Sequence, residues 1–314
     1  MTAKYGFMNK TDAEFPPILI VNITNVCNLA CIHCPHRTIK KRPGYRPQFM
    51  SEQVFERIAA EASRNKITVM RIACDGEGLL HPKFFELMAI AKKHRVFPIN
   101  LTTNGLAMGE EASRKIIASG IDVVDVSIDA FSEQTYRSVR VGGDYRKVME
   151  NVLRLVELRN ELKSPMRIFV SFVKQPANEH EQEAFRMFWE GKVDFVLLRN
   201  YCNMVGLVED GSSRAALPER YPCPQFWKRV TINYDGNIRY CVEDWENKTV
   251  VANVMDTTIK DVWTGAQYAE YRKKQLAGAY GDMALCGACV DWVASPWNFG
   301  YEKIINETVR HGGK

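Results

Sequence analysis

Cys27, Cys31 and Cys34 stand in the run NVCNLACIHC with the spacing C-x3-C-x2-C. Thiolates are soft, anionic donors, and three so close together suit an iron–sulfur cluster. They hold three irons of a four-iron cluster and leave the fourth open to a substrate or cosubstrate. The pattern therefore points to chemistry more than to structure. Structural zinc competes for these residues, but it wants a fourth ligand and none is adjacent.

A second group comprises Cys223, Cys241, Cys286 and Cys289, the last two in CGAC. Four thiolates fill a tetrahedral zinc site or bind all four irons of a second cluster, and the spacing alone leaves both open. Cys74 and Cys202 belong to neither group. A small buried thiol is the default reading of each.

These residues must be positioned by something, and the chain alternates strand-like and helix-like stretches from residue 15 onward. The expected strands are ILIVNIT (18–24), ITVMRIA (67–73), VFPINLTTNG (96–105), IDVVDVSID (121–129), MRIFVSFV (166–173) and VDFVLLR (193–199). Between them, Ser51 is a helix cap before VFERIAAEA, and a helix is expected at 83–93. GEEASRKIIASG reads as a short helix stopped by Gly120. Val148, Val152, Leu155 and Val156 form a helical stripe.

Six β-α units in a row predict a parallel α/β sheet with right-handed crossovers, curled into a partial (βα)6 TIM-like barrel. Chemistry in such sheets gathers at the C-terminal strand ends. Cys27, Glu77, Asn104 and Asp129 follow or end strands one to four, so all four are expected at one mouth.

After about residue 210 the pattern changes. GSSRAALPERYPCP reads as a linker, and RVTINYDGNIRYCVE as a hairpin turning at Asp235-Gly236. The expected domains are a barrel over 15–210, a small α+β domain with a β-hairpin over 211–300, and a tail over 301–314.

Composition sets the outer limits. The chain is 46% apolar and 25% charged, as a globular protein is. No apolar run reaches the ~18 residues of a membrane span. MTAKYGFMNKTDAEF has no apolar signal core, so a cytoplasmic location is expected. Nine cysteines are too sparse for a disulfide scaffold, and their grouping fits a reducing compartment. A net charge of +5 suits an acidic electron carrier and does not by itself argue for nucleic acid. The aromatic residues of the C-terminal part read as core, and His81 as a turn residue.

The three-cysteine loop after strand one resembles the signature of the radical S-adenosylmethionine (SAM) superfamily. ACDGEGLLHP (73–82) resembles the family's glycine-glycine-glutamate segment, with Asp75 in place of the first glycine and Gly78 in place of a usual proline. TTNG (102–105) and VDVSIDA (124–130) are similar to further family strand ends.

The resemblance implies a SAM site at Gly76, Glu77, Asn104, Ser127 and Asp129. It adds Arg140 on the SAM carboxylate and His33 where the family has an aromatic near the adenine. The segment from Cys223 to Cys289, including GNIRYCVEDWEN and IKDVWTGAQYAEYRK, resembles the auxiliary-cluster domain called twitch, a shortened relative of SPASM. It is also similar to radical SAM dehydrogenases of aminoglycoside biosynthesis. VDWVASPWN follows the C-x2-C without another cysteine, so one auxiliary cluster is expected, making two [4Fe-4S] clusters with SAM.

The implied activity is hydrogen abstraction from a polar small molecule, a sugar, cyclitol or amino sugar, by a 5′-deoxyadenosyl radical. Oxidation to a ketone through the auxiliary cluster would follow. A flavodoxin or ferredoxin-type reductant is the expected partner, with neither nucleic acid nor membrane. Epimerisation is the alternative, with Cys74 or Cys202 as hydrogen donor. Peptide maturation is a third reading, weakened because strand one starts by residue 18. Arg199, at the end of strand six, is either a substrate contact or a surface residue.

Overall fold

In the computed structural model of the chain, residues 14–65, 67–73, 75–208 and 219–294, with 304, 305, 307 and 309, are described. Six parallel strands run in order: β1 (Ile18–Val21), β2 (Val69–Ile72), β3 (Ile99–Thr103), β4 (Val123–Ser127), β5 (Arg167–Lys174) and β6 (Phe195–Asn200). Each pairs with the next.

The crossovers are helical. α2 (Glu52–Arg64) follows a single turn, α1 (His36–Ile39); then come α3 (Phe84–Lys93), α4 (Glu110–Ala118), α5 (Glu133–Val139), α6 (Tyr145–Glu161) and α7 (Gln182–Trp189). The Ser51 hydroxyl accepts the Val54 N–H and caps α2, which buries Phe55, Ile58, Ala59 and Ala62 at helical spacing. α6 is capped by Asp144 and buries Val148, Val152, Leu155 and Leu158; Val156, assigned to its stripe from sequence, is only half-buried.

The sheet is open at both ends, a partial barrel. Strand alternation divides its two faces. Leu19, Val21, Met70, Ile72, Leu101, Val124, Val126, Val170 and Phe172 form the core under the helices. Ile18, Ile20, Val69, Val123, Phe169 and Leu197 pack on the opposite face. Toward the C-terminal ends that inner face turns polar, with Arg71, Thr102, Ser127 and Arg199 lining a cavity.

The C-terminal segment is not a separate layer. After α8 (Gln225–Lys228), β7 (Arg229–Ile232) pairs in parallel with β1, so the sheet continues past the barrel edge. β8 (Asn237–Arg239) returns antiparallel through the turn with Gly236 at φ +85°, and β9 (Val250–Asn253) completes the order β6-β5-β4-β3-β2-β1-β7-β8-β9. The expected hairpin is present, and its first strand is also the barrel's seventh parallel one. α9 (Ile259–Thr264) and α10 (Ala266–Ala277) cover it, Trp263 and Tyr268 being buried. The expected boundary at 210/211 lies outside the described residues, as does most of the 301–314 tail. Among the described residues no helix is long and apolar enough to cross a membrane.

Candidate active site

The loop after β1 places Cys27, Cys31 and Cys34 on the wall of a cavity of about 370 Å³ at the C-terminal strand ends. Backbone bonds fix the loop. Ala30 N–H donates to the Val141 carbonyl at 2.8 Å and Ile32 N–H to the Val139 carbonyl at 3.0 Å, fastening it to the end of α5. Glu77 N–H donates to the Val26 carbonyl at 2.8 Å. At Gly76 a Cβ would stand 2.6 Å from the carbonyl oxygens of Thr24 and Val26, so only glycine lets the two loops touch.

Glu77 lines the cavity and is 3% exposed. Its carboxylate accepts from Thr103 Oγ1 and Asn104 N–H, both at 2.7 Å, and from Leu79 N–H at 3.2 Å. Burial raises its pKa, and these donors pull it back. Asn104 in turn donates to Asn28 Oδ1 at 2.8 Å, tying the end of β3 to the cysteine loop. Ser127 and Arg140 line the same cavity.

Asp129 is placed differently. It is wholly buried and does not line the cavity; its carboxylate accepts the Val173 N–H at 2.7 Å and pairs with Arg140. Arg140 also has Nη1 3.7 Å from Cys31 Sγ. Asp129 therefore orients Arg140 from behind. His33 lines the cavity, meets Gln175 Nε2 at 3.1 Å and lies 3.4 Å from Asp129. Burial pushes its pKa down to about 4, so the imidazole is neutral.

Arg199 is half-buried; it lines the cavity and pairs with buried Asp125. Cys202 lines the cavity as well. Cys74 lies outside the described residues. His81 is a structural turn residue, buried, with Nε2 2.9 Å from the Met50 carbonyl and Nδ1 accepting the Lys83 N–H.

Cys223, Cys241, Cys286 and Cys289 come together around a second, much smaller cavity, beside Tyr240, Trp292 and Glu243. Gln275 of α10 accepts the Cys223 N–H at 2.9 Å and has Nε2 3.6 Å from Cys286 Sγ. Glu243 lines both cavities, and burial lifts its carboxyl to about 7.

All eight described cysteines are free thiols. Burial pushes Cys27 and Cys223 up to about 11 and Cys286 up to about 12, so metal loading there must displace protons. Two sets of soft donors, one of three and one of four, line the two cavities, a donor chemistry that suits iron–sulfur clusters; among the described residues no group of three or more His, Cys, Asp or Glu is arranged to hold a single metal ion.

Sequence reading missed several residues. Gln175 and Gln275 carry no motif, and Asp125, inside VDVSIDA, was not singled out. Arg239 of β8 is 0% exposed and reaches across 164 residues to Asp75, with Nη2 3.1 Å from Oδ2. The signal for that pair was in the sequence: Asp75 is an acidic residue where the resembled motif has glycine.

Comparison with known proteins agrees with this division. Residues 21–170 match the radical SAM superfamily, and residues 223–290 match SPASM, an iron–sulfur cluster-binding domain. A probable GTP 3′,8-cyclase of Methanocaldococcus jannaschii is 28% identical over 140 residues, 45% of either chain. The mycofactocin maturase MftC of Mycobacterium ulcerans is 29% identical over 142 residues, 44% of this chain and 37% of that one. The chain spans about half the length of the curated relatives it matches. The crystal structure of BtrN in complex with AdoMet and 2-DOIA superposes with a TM-score of 0.60 at 16% identity, covering 87% of this chain and 92% of that one; it shares the fold. The chain thus matches a radical SAM domain over 21–170 and an iron–sulfur cluster-binding domain over 223–290, and the two matches together imply iron–sulfur clusters and SAM binding.

Proposed function

We propose that this protein is a radical SAM oxidoreductase that dehydrogenates a sugar, cyclitol or amino sugar, resembling 2-deoxy-scyllo-inosamine dehydrogenase. The observation that carries the reading is Glu243, which lines both the main cavity and the four-cysteine site. An electron leaving a substrate radical has a second thiol-ligated site one side chain away.

When bound at Cys27, Cys31 and Cys34, a four-iron cluster with SAM supplies a 5′-deoxyadenosyl radical by one-electron cleavage. The chain's residues do the rest. Glu77 presents a carboxylate to the SAM amino group, and Arg140, oriented by Asp129, faces its carboxylate. Ser127 and His33 complete the cavity wall on the nucleoside side. Arg199, braced by Asp125, offers its guanidinium to a polar substrate. The balance closes: the substrate C–H hydrogen goes to 5′-deoxyadenosine. The hydroxyl proton and one electron then leave, the C=O bond forms, and that electron replaces the one spent on SAM.

Cys202 on the cavity wall favours a second reading, epimerisation, in which its thiol returns a hydrogen to the opposite face. Hydrogen fate separates the two. Reconstituted enzyme is incubated with SAM, a reductant and a panel of polyols, and products are weighed by mass spectrometry. Dehydrogenation gives product two mass units lighter, with no deuterium at carbon in D2O and activity retained in Cys202→Ala. Product of unchanged mass, one unit heavier from D2O and lost in Cys202→Ala, establishes epimerisation instead.

A further inference from the structure

The net charge of +5 has a single address. Between residues 15 and 51 there is no Asp or Glu, yet Arg37, Lys40, Lys41, Arg42 and Arg46 all lie there. Of the chain's 42 Lys and Arg, the other 37 are matched by its 37 Asp and Glu. One stretch of ten residues thus accounts for the whole excess.

That stretch is the outer wrapping of the three-cysteine loop. Arg37 N–H donates to the Cys34 carbonyl at 3.3 Å, and Lys40 Nζ to the Leu29 carbonyl at 3.3 Å. The Asn25 carbonyl, two residues before Cys27, takes Tyr45 Oη at 3.0 Å and lies 3.0 Å from His36 Nε2. Arg37, Lys41, Arg42 and Arg46 are exposed and Lys40 is half-buried.

Arg42 pairs with Glu246 at 2.5 Å, and Glu246 also holds Lys248, so that carboxylate is already over-subscribed. The other four have no carboxylate within 4.0 Å among the described residues. Arg46 and Tyr45 continue into a polar cleft of about 390 Å³, where Asp235 is the one exposed-side acid and Asp75 is held by Arg239.

We propose that residues 37–46 are the docking surface for an acidic one-electron carrier protein of flavodoxin or ferredoxin type. The proposal rests on the radical SAM reading, which requires one electron at the site of Cys27, Cys31 and Cys34. The carrier is oxidised by one electron, that site is reduced by one, and no proton or bond changes. The segment places its charge against the backbone of the cysteine loop, through Arg37 N–H on the Cys34 carbonyl and Lys40 Nζ on the Leu29 carbonyl. Charge matching at such a patch speeds encounter by about 10- to 1,000-fold and fades with salt, because the Debye length is only about 10 Å at 0.1 M.

The test uses the full-length reconstituted protein and the variant Arg37→Glu/Lys41→Glu, two exposed positions that touch neither cavity. Two donors are compared, a reduced flavodoxin and dithionite, which needs no docking, and 5′-deoxyadenosine release is the readout. Flavodoxin binding is measured separately by calorimetry, independently of turnover. The expected variant loses at least about tenfold in flavodoxin affinity and flavodoxin-driven rate, and keeps its dithionite-driven rate and its melting temperature. High salt should produce the same loss in the wild type. Unchanged flavodoxin affinity in the variant overturns the proposal, as does tighter binding of anionic vesicles or DNA than of flavodoxin at this segment. Absence of 5′-deoxyadenosine with dithionite would instead overturn the radical SAM reading, while the calorimetry still decides the docking surface.

Discussion

Asp75→Gly restores the residue that the SAM-binding segment has in the resembled family, and here it should be harmful. Arg239 is 0% exposed and Asp75 6%, with Nη2 3.1 and 3.4 Å from the two carboxylate oxygens. Arg239 also donates to the Asp244 carbonyl, which does not neutralise its charge. Removing the carboxylate takes away the ion-paired partner of a buried guanidinium, at a cost of about 3–5 kcal/mol. The glycine adds about 0.5–1 kcal/mol of backbone entropy. Replacing both charges is different, because a buried pair exchanged for apolar groups is often neutral. Asp75→Gly/Arg239→Met should therefore recover to within about 1–2 kcal/mol of the wild type, a coupling of at least about 2 kcal/mol. Guanidinium unfolding followed by circular dichroism and tryptophan fluorescence measures this. Because Asp75 adjoins Gly76 and Glu77, SAM affinity of the reconstituted protein should fall about tenfold in Asp75→Gly and return in the double variant. The reasoning is refuted if Asp75→Gly is as stable as wild type, or if the double variant is no more stable than the single.

Three further outcomes are expected. Anaerobic reconstitution should give about eight irons per chain, and replacing Cys27, Cys31 and Cys34 together should leave about four, by iron and sulfide assay; four irons with one zinc in the native protein would remove the auxiliary cluster. Glu77→Gln exchanges an anion for an amide that also presents N–H donors to Asn104, so SAM affinity should drop by at least about tenfold, in line with the ~1.5–3 kcal/mol of a charged hydrogen bond, and titration calorimetry reads it. Asp129→Asn keeps the φ of +61° that Asn tolerates and the acceptor for Val173 N–H, yet removes the charge facing Arg140. It should lose about 3–5 kcal/mol in denaturant unfolding, and no loss would show that Arg140 does not depend on it.

Most of the barrel was legible because the strands are short apolar runs rich in β-branched residues, and helices between them start at local caps such as Ser51, Ser132 and Asp144. Ser51 before α2 and the glycine after α4 mark boundaries locally, within a few residues. The cysteine groups were legible for a similar reason, since ligand spacing is short-range information. The partners of those residues were not. Asp129 has the motif position of a cofactor contact, yet it is buried and paired with Arg140, which the C-terminal end of α5 brings to it. Gln275 holds Cys223 and Cys286 from the middle of α10, where nothing in the local pattern distinguishes it from a surface glutamine. β9 was missed although NKTVVANV has β-branched residues, because its partner β8 is only three residues long and bulged. The β1–β7 pairing joins residues more than 200 apart, and periodicity carries no information on which edge a strand will choose.

That pairing is what makes one site from two domains. Had β7 stayed with its own hairpin, the barrel would end at β1 with an unpaired edge, and the cavity would open there. Instead β7 caps the edge, and the chain just after β8 supplies Val242 and Glu243 to the cavity wall that Arg199 and Cys202 also line. The same turn of chain carries Cys241 into the second thiol group. A displacement of β8 would therefore disturb three things together: the Asp75 contact under the SAM segment, the closure of the cavity, and the separation between the two thiol groups.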